Sequence, residues 1–447
     1  MNRVWLVQPD GGWELVLNTR RSYRNIYHKN VLRIEGPFER LSWFLQTLKF
    51  PVRRLKIDYR ITFEELRLIL LEVPELQYLS IESYIDFNCK TNEPLPVLTK
   101  LKCLELGLFQ SNLFDCFRMN VANLQSLYMS CETDGELETW RHLSGQLKLV
   151  HVFFSTYSSQ FLELTFPHLE DFTIEEVVYG TTEEEEIDLS RGNDFFRRHS
   201  LLRRLSVPVP ISVEWIRSIT SHCPELTYLS LVLKNPEEGT LESLVQLTKL
   251  RHLSFPYRSM SKYNTRLNTR QYTQLDEKLF RGTFKSLESV ELQMHPTRIL
   301  LENLFETAPQ LKYLKIMPRS HYNLQLDIQF ICEKFSCLRR LELNMYKKTA
   351  ADNSVRIDRL DHLEELKIRN VESISFIHRN NVRCLTLSGP KMNYKDLDQI
   401  PEKFPLLKRL ILDSFGVSLA NVKRLHKLMP SCRIDFGSHR FYPQVLP

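Results

Sequence analysis

Apolar residues recur along the chain in a short phrase, apolar-x-x-apolar-x-apolar, and longer amphipathic stretches separate its copies. The phrase occurs 15 times between Val52 and Leu412, and successive copies start 19 to 37 residues apart. Its last two apolar positions alternate with other residues as in a short β-strand, and its first apolar position can pack beneath that strand. One such unit is too small to bury its own apolar side, so we expect neighbouring units to stack as parallel strands.

The stretches between the phrases have helical periodicity and often end at a proline. Ile61–Pro74 begins with Thr62 and Glu65 at the spacing of a helix capping box, and Ile211–Pro224 and Pro296–Pro309 follow the same plan. Strand, turn and helix in units of 20 to 29 residues are typical of leucine-rich repeats. The pattern predicts an α/β leucine-rich-repeat solenoid, a horseshoe with parallel strands on its concave face and helices on its convex face.

The predicted solenoid occupies most of the chain. We assign 1–28 to an N-terminal segment, 29–436 to about 15 repeats with their caps, and 437–447 to a short tail. Two long gaps between repeats predict insertions on a rim, at 175–195 and 256–281. The first insertion is acidic and the second is rich in Lys and Arg; each is either a solvated loop or a functional site.

The ends of the predicted solenoid need caps against solvent. A degenerate unit, with Lys29, Leu32 and Ile34 in the three apolar slots, precedes the repeat that starts at Val52. At the other end, Cys432–Phe436 resembles a last edge strand. We therefore expect the strand at Leu32 to flank the first full repeat.

Composition narrows the function classes. The net charge of +6 is spread over 447 residues, which is weak evidence for a polyanionic partner. We found no apolar run long enough for a membrane span, no convincing signal peptide, and no CxxC pair among the nine cysteines. A cytoplasmic or nuclear protein with free thiols is expected. Nucleotide-binding, metalloprotease and hydrolase motifs are absent from the sequence, so we expect no enzyme activity, cofactor or metal.

The phrases that end the helices point to a repeat subtype. They read VPEL at 73–76, CPEL at 223–226, APQL at 308–311 and FPLL at 404–407. This phrasing resembles the intracellular, cysteine-containing repeats of F-box leucine-rich-repeat proteins, insect members in particular, over about residues 25–436. The resemblance implies a substrate-binding receptor of an SCF-type (cullin–RING) ubiquitin ligase.

An F-box itself is not recognisable in this sequence. The usual opening phrase LP-x-E-I-L and the later Val-Cys-x-x-Trp are both missing, and 1–28 resembles the stretch that normally follows an F-box. Docking to a Skp-type adaptor is therefore expected only if an F-box is encoded upstream. The alternative is a scaffold or inhibitor that acts without a ligase.

The residues flanking the strand leucines are expected on the concave face, because successive side chains leave opposite faces of a strand. Aromatic side chains and arginine anchor many protein interfaces. The simpler interpretation is that strands favour aromatic residues in any case. We predict that the chain is monomeric and binds a protein partner through the following candidates: Tyr78, Tyr128, His151, Phe153, Tyr228, His252, Tyr313 and Arg340.

The basic insertion supports a rival, nucleic-acid binding, because its aromatic and cationic residues could stack on bases and contact phosphates. Acidic residues at the other predicted concave positions make this alternative less favoured. The rim candidates are Arg258, Lys262, Tyr263, Arg266 and Arg270.

Overall fold

The computed structural model describes most of the predicted repeats. The described residues are 2–7, 14–18, 32–36, 51–58, 61–81, 85–86, 95–107, 121–154, 158–176, 191–233, 242–256, 282–293, 296–317, 328–344, 357–370, 374, 377–389, 394–413, 418–437 and 439–441. The chain divides into two compact units, Met1–Val207 with Ser221–Cys223, and Pro208–Thr220 with Pro224–Pro447. Each unit contains its own ladder of parallel strands. One continuous solenoid over 29–436 stays a prediction.

The first unit contains twelve strands and four helices among its described residues. The strands are β1 (Asn2–Val7), β2 (Glu14–Asn18), β3 (Leu32–Gly36), β4 (Arg54–Asp58), β5 (Ile61–Thr62), β6 (Tyr78–Ile81), β7 (Ile85–Asp86), β8 (Cys103–Leu106), β9 (Ser126–Cys131), β10 (Leu149–Phe154), β11 (Asp171–Glu176) and β12 (Arg204–Ile211), the last only as far as Val207. The helices are α1 (Phe63–Glu72), α2 (Asp134–Leu143), α3 (Ser158–Leu162) and α4 (Gly192–Arg198). Strands β4, β6, β8, β9, β10, β11 and β12 pair in parallel in that order.

The N-terminal end of this ladder differs from the sequence prediction. Strand β2 pairs in parallel with β4 and places Leu15 opposite Leu55, whereas β3 pairs antiparallel with β1. The strand at Leu32 exists, but it does not flank the first full repeat as we expected. In this register Leu15 and Leu17 lie opposite Leu55 and Ile57, so the alternation of apolar positions in the sequence matches between the two strands.

The second unit continues with the remaining repeats. Its strands are β13 (Tyr228–Leu233), β14 (His252–Phe255), β15 (Ser289–Leu292), β16 (Tyr313–Ile316), β17 (Arg340–Asn344), β18 (Glu365–Arg369), β19 (Cys384–Ser388), β20 (Arg409–Asp413), β21 (Arg433–Phe436) and β22 (His439–Phe441). Its helices are α5 (Val213–His222, most of it in this unit), α6 (Arg298–Thr307), α7 (Ile328–Lys334), α8 (Tyr394–Asp398), α9 (Ile400–Lys403) and α10 (Leu419–Leu428). Strands β13 to β21 pair in parallel in chain order.

The predicted last strand, Cys432–Phe436, forms as β21 but is not the edge of the ladder. Strand β22 pairs antiparallel with it, with Ile434 opposite Phe441. Residues 439–441, which we assigned to the short C-terminal tail, form this additional strand. An added antiparallel strand covers backbone groups that an edge strand would leave unpaired.

The leucines of the repeated phrase form the core of each unit. Leu55 in the first unit, and Leu229 and Leu341 in the second, are 0% exposed. In register, Leu55 lies opposite Leu79 and Leu341 lies opposite Leu366, so equivalent leucines stack from strand to strand. All 15 predicted units contain a strand at the expected place. The α/β leucine-rich-repeat solenoid is thereby confirmed.

The helix signals are confirmed where the structure describes them. Thr62 caps α1, accepting a hydrogen bond from the Glu65 backbone, while the Glu65 carboxylate accepts one from the Thr62 backbone. Thr297 caps α6 by accepting a hydrogen bond from the backbone N–H of Leu300. Within the described ranges, no helix combines the length and the apolar character needed to cross a bilayer.

Candidate protein-interaction surface

Each ladder of strands has one face that is turned away from the buried leucines, and we call it the open face. On β6, for example, Leu79 is buried while Tyr78 before it is partly exposed. The predicted binding residues alternate with buried leucines in this way, so the strand geometry places them on the open face. The side chains that contact these predicted residues differ between the two units.

Three of the predicted residues in the first unit form a compact group, which we call the first-unit cluster: Tyr128, His151 and Phe153. The ring centroids of Tyr128 and His151 are 4.0 Å apart and those of Tyr128 and Phe153 are 4.7 Å apart, both edge to face. The rings of His151 and Phe153 stack at 5.5 Å. Phe153 is buried, Tyr128 and His151 are partly exposed, and Leu149 beside them is 37% exposed. The cluster is an apolar surface whose members hold one another in place.

Two carboxylates flank this cluster. Glu105 on β8 lies opposite Tyr128, and Glu175 on β11 lies opposite Phe153. Glu105 accepts a 2.6 Å hydrogen bond from the Tyr78 hydroxyl. Glu175 Oε1 lies 3.1 Å from His151 Nε2, although the two atoms are not aligned as a hydrogen bond. In the described part of the chain, neither carboxylate forms an ion pair with a lysine or arginine.

Two arginines on the same open face already have partners. The Arg54 guanidinium lies over the Tyr78 ring, 4.2 Å from its centroid, and Arg204 Nε lies 3.1 Å from an Asp171 carboxylate oxygen. Burial, together with the bond to Glu105, raises the pKa of Tyr78 far above its usual range. Burial also raises the pKa of Asp171, and the Arg204 charge offsets part of that rise. Tyr78 therefore remains a neutral hydrogen-bond donor at physiological pH.

In the second unit, Tyr228 and His252 form a stacked pair. Their ring centroids are 4.5 Å apart and their planes are 2° from parallel. His252 Nδ1 and Ser289 Oγ are joined by a 2.6 Å hydrogen bond, and both aromatic residues are partly exposed. We call this the second-unit pair. Ser289 fixes the imidazole orientation, which makes the pair a flat, rigid platform.

Charged residues alternate across the next strands of the second unit. Glu291, Lys315, Glu342 and Lys367 lie opposite one another in turn on β15 to β18. Lys315 Nζ donates to Glu291 at 2.9 Å, and Lys367 Nζ lies 3.1 Å from Glu342, whose side chain is 3% exposed. Arg369 donates a further hydrogen bond to Glu342 at 3.2 Å. These charges largely neutralise one another.

Tyr313 and Arg340 are brought together by neighbouring strands. The Arg340 guanidinium lies 4.8 Å from the Tyr313 ring centroid, and its Nε is 3.4 Å from Glu365, without hydrogen-bond alignment. Burial and the nearby glutamates raise the pKa of Tyr313 well above its usual range. Both candidates are thus on the open face, but Arg340 already has an aromatic and an acidic neighbour.

Some predicted sites lie outside the described residues, and two residues were assigned wrongly. The rim candidates Arg258, Lys262, Tyr263, Arg266 and Arg270 lie outside the described residues. The acidic insertion was expected to begin at 175, yet Glu175 and Glu176 belong to β11. The period-2 alternation of Asp171, Thr173 and Glu175 continues past the repeat phrase and could have revealed this. Among the described residues, no group of three or more His, Cys, Asp or Glu could hold a metal ion.

Comparisons with known proteins give limited information. No family model matches the chain, and no curated protein matches its sequence. Matching solved structures include a leucine-rich-repeat protein of Leptospira interrogans, at 19% identity over 86% of this chain and 84% of that one, with a TM-score of 0.34. They also include the Rad7 and Elc1 complex of yeast, at 14% identity over 83% and 82%, with a TM-score of 0.37. These values are too low to bear on function, so the fold rests on the strand pairing and buried leucines.

Proposed function

We propose that the chain is a protein-recognition module that binds another protein on its open face and has no catalytic role. The main supporting observation is the presence of an aromatic group on each open face, namely the first-unit cluster and the second-unit pair. Each is held by its neighbours while part of its surface stays accessible. Aromatic side chains that are already fixed lose little entropy on binding, which is why they dominate many protein interfaces.

Nucleic acid is the less favoured partner because carboxylates are spread over both open faces. Glu105, Asp171 and Glu175 lie in the first unit, and Glu291 and Glu365 lie in the second. Phosphate backbones bind surfaces that supply a net positive potential. A partner affinity that fell steeply and linearly with the logarithm of salt concentration would instead favour RNA or DNA.

The more specific role, which comes from the family resemblance, is substrate receptor of a cullin–RING ubiquitin ligase. A pull-down with a purified Skp-type adaptor tests it, using the chain from Met1 and any longer form that the gene encodes. Adaptor binding would support the receptor role. Absence of binding by every form would leave a scaffold or inhibitor that acts on its own.

A photo-crosslinking experiment tests whether the open face is the binding surface. A photoreactive amino acid is placed at Ser126 or Ser289, which lie on the open faces, and separately at Leu71 or Leu428, which are 50% and 54% exposed on helices. We expect covalent adducts to a cellular protein from the Ser126 or Ser289 position and none of the same mass from the helix positions. Adducts from Leu71 and Leu428 alone would refute the proposal.

Removing the second-unit pair is the complementary test. Once the partner is identified by crosslinking, the double substitution Tyr228→Ala/His252→Ala should weaken its binding without unfolding the chain. Substituting the exposed Leu428 by alanine serves as the control and should leave affinity unchanged. Retained affinity in the double variant would argue for the first-unit cluster or the 256–281 insertion as the binding site.

A further inference from the structure

The flanks of the first-unit cluster show what kind of partner segment it fits. Glu105 and Glu175 are the two acidic residues beside the aromatic rings, and their contacts in the described residues are a phenol hydroxyl and an imidazole. The Glu175 side chain is 43% exposed. Arg54 and Arg204 could neutralise these two carboxylates, but Arg54 lies over the Tyr78 ring and Arg204 pairs with Asp171. This part of the open face therefore combines an apolar centre with negative charge on both sides.

The spacing of the two carboxylates follows from the strand register. Glu105 is on β8 and Glu175 is on β11, three strand steps away, and Glu175 lies one same-face position further along its strand. With about 4.8 Å between strands and about 6.7 Å between same-face residues, the two positions are about 16 Å apart. One cation cannot reach both, but two cations on one partner segment can.

An extended segment matches this distance. Residues i and i+4 of an extended chain are about 13 Å apart and project from the same side, with residue i+2 between them on that side. The flexible stems of lysine and arginine cover the remaining few ångströms. On a helix, residues i and i+4 are only about 6 Å apart, so a helical segment would need a much longer spacing.

We propose that the first-unit cluster binds an extended, basic segment of a partner protein with the pattern basic-x-apolar-x-basic. The two basic side chains pair with Glu105 and Glu175, and the central apolar side chain packs on Tyr128 and His151, which lie between the two carboxylates. This inference rests on the proposed function and adds the chemistry of the partner to it. An acidic or phosphorylated segment would meet two carboxylates and is excluded by charge.

A random-peptide display library selected on the full chain tests the proposal. We expect enriched peptides with two Lys or Arg residues four positions apart and an apolar residue midway. A synthetic peptide of the enriched sequence is then measured by fluorescence anisotropy against Glu105→Gln/Glu175→Gln. Binding should weaken on the order of tenfold in this variant, since an exposed ion pair contributes up to about fivefold.

A matched control separates local pairing from general charge. The variant Glu75→Gln/Glu225→Gln removes the same two negative charges at positions where lysines already pair with them, Lys100 at 2.5 Å and Lys249 at 2.5 Å. Its peptide affinity should stay within about twofold of the wild type. Equal losses in both double variants, enrichment of acidic or uncharged peptides, or no enrichment at all would overturn the inference. Open-face crosslinks obtained alongside any of those results would leave the proposed function standing, whereas helix-face crosslinks alone would refute both.

Discussion

His199 predicts a specific pH dependence of stability in the first unit. The residue is 2% exposed, its Nε2 accepts a 2.9 Å hydrogen bond from the Phe166 backbone N–H, and its Nδ1 lies 2.6 Å from the Phe195 carbonyl oxygen. Because Nε2 is an acceptor, the ring must be neutral with its proton on Nδ1, which donates to Phe195. Burial lowers the pKa of His199 from 6.5 to about 4.

The sign and size of the effect follow by linkage. The folded pKa lies below the unfolded one, so the contribution of His199 is fully present above about pH 6.5 and is lost as the pH falls towards 4. The gap corresponds to about 3 kcal/mol, since one pKa unit is about 1.4 kcal/mol. Over this range the unfolded chain binds a proton at this position that the folded chain does not.

Urea unfolding between pH 4 and pH 7.5 measures this contribution. The variant His199→Gln has no titrating ring, so its free energy of unfolding should fall less steeply with acid than that of the wild type, by about 3 kcal/mol in total. The exposed His142 offers a matched control, and His142→Gln should follow the wild-type curve. Parallel curves for the wild type and His199→Gln would show that the buried imidazole is not held neutral, and the reasoning would be wrong.

Two further substitutions test the packing and the capping directly. Leu229 is 0% exposed, so Leu229→Ala should lower the free energy of unfolding by about 2–5 kcal/mol in a urea titration. The control Leu428→Ala, at a 54% exposed site, should lower it by less than about 0.5 kcal/mol. Similar losses in both variants would show that Leu229 does not lie in a tightly packed core. Glu136 accepts hydrogen bonds from Ser130 Oγ and from the backbone at 132 and 133 while 3% exposed, so Glu136→Ala should cost about 2 kcal/mol or more, and the exposed Glu138→Ala much less. A negligible cost at Glu136 in thermal denaturation would contradict its structural role.

The repeat architecture could be predicted because the same physical signal is repeated many times. Three apolar slots per unit specify a strand with one buried face, and a register slip by one residue would expose all of them. The end of the ladder carries no such repetition, and β2 took the position beside β4 that we assigned to the strand at Leu32. Apolar residues alternate in β2 and also in β3, so the sequence pattern alone does not predict which of these two strands pairs with β4.

The shortest repeat shows a second limit of the pattern. The phrases that start at Leu363 and Val382 are 19 residues apart, too few for the usual helix. Asn380 compensates from within the core, donating to the Ile357 carbonyl at 2.8 Å and accepting from the Val382 N–H at 3.0 Å. Because the Ile357 carbonyl is 23 residues away from Asn380, composition and periodicity do not reveal this role of the buried asparagine.

For the candidate surface, too, some properties follow from the sequence of one strand and others depend on its neighbouring strands. Strand periodicity alone places Tyr128 and His151 on the open face, because side-chain direction is a local property. Whether a charge on that face is available to a partner depends on the neighbouring strands. Glu342 is 3% exposed between Lys367 and Arg369, whereas Glu175, which lies two residues later in its own repeat, is 43% exposed beside an imidazole. The register between strands therefore places Glu342 between cations in the second unit and Glu175 beside aromatic rings in the first unit. In the first unit, Glu105 and Glu175 have no lysine or arginine partner among the described residues, so a basic partner segment could pair with them.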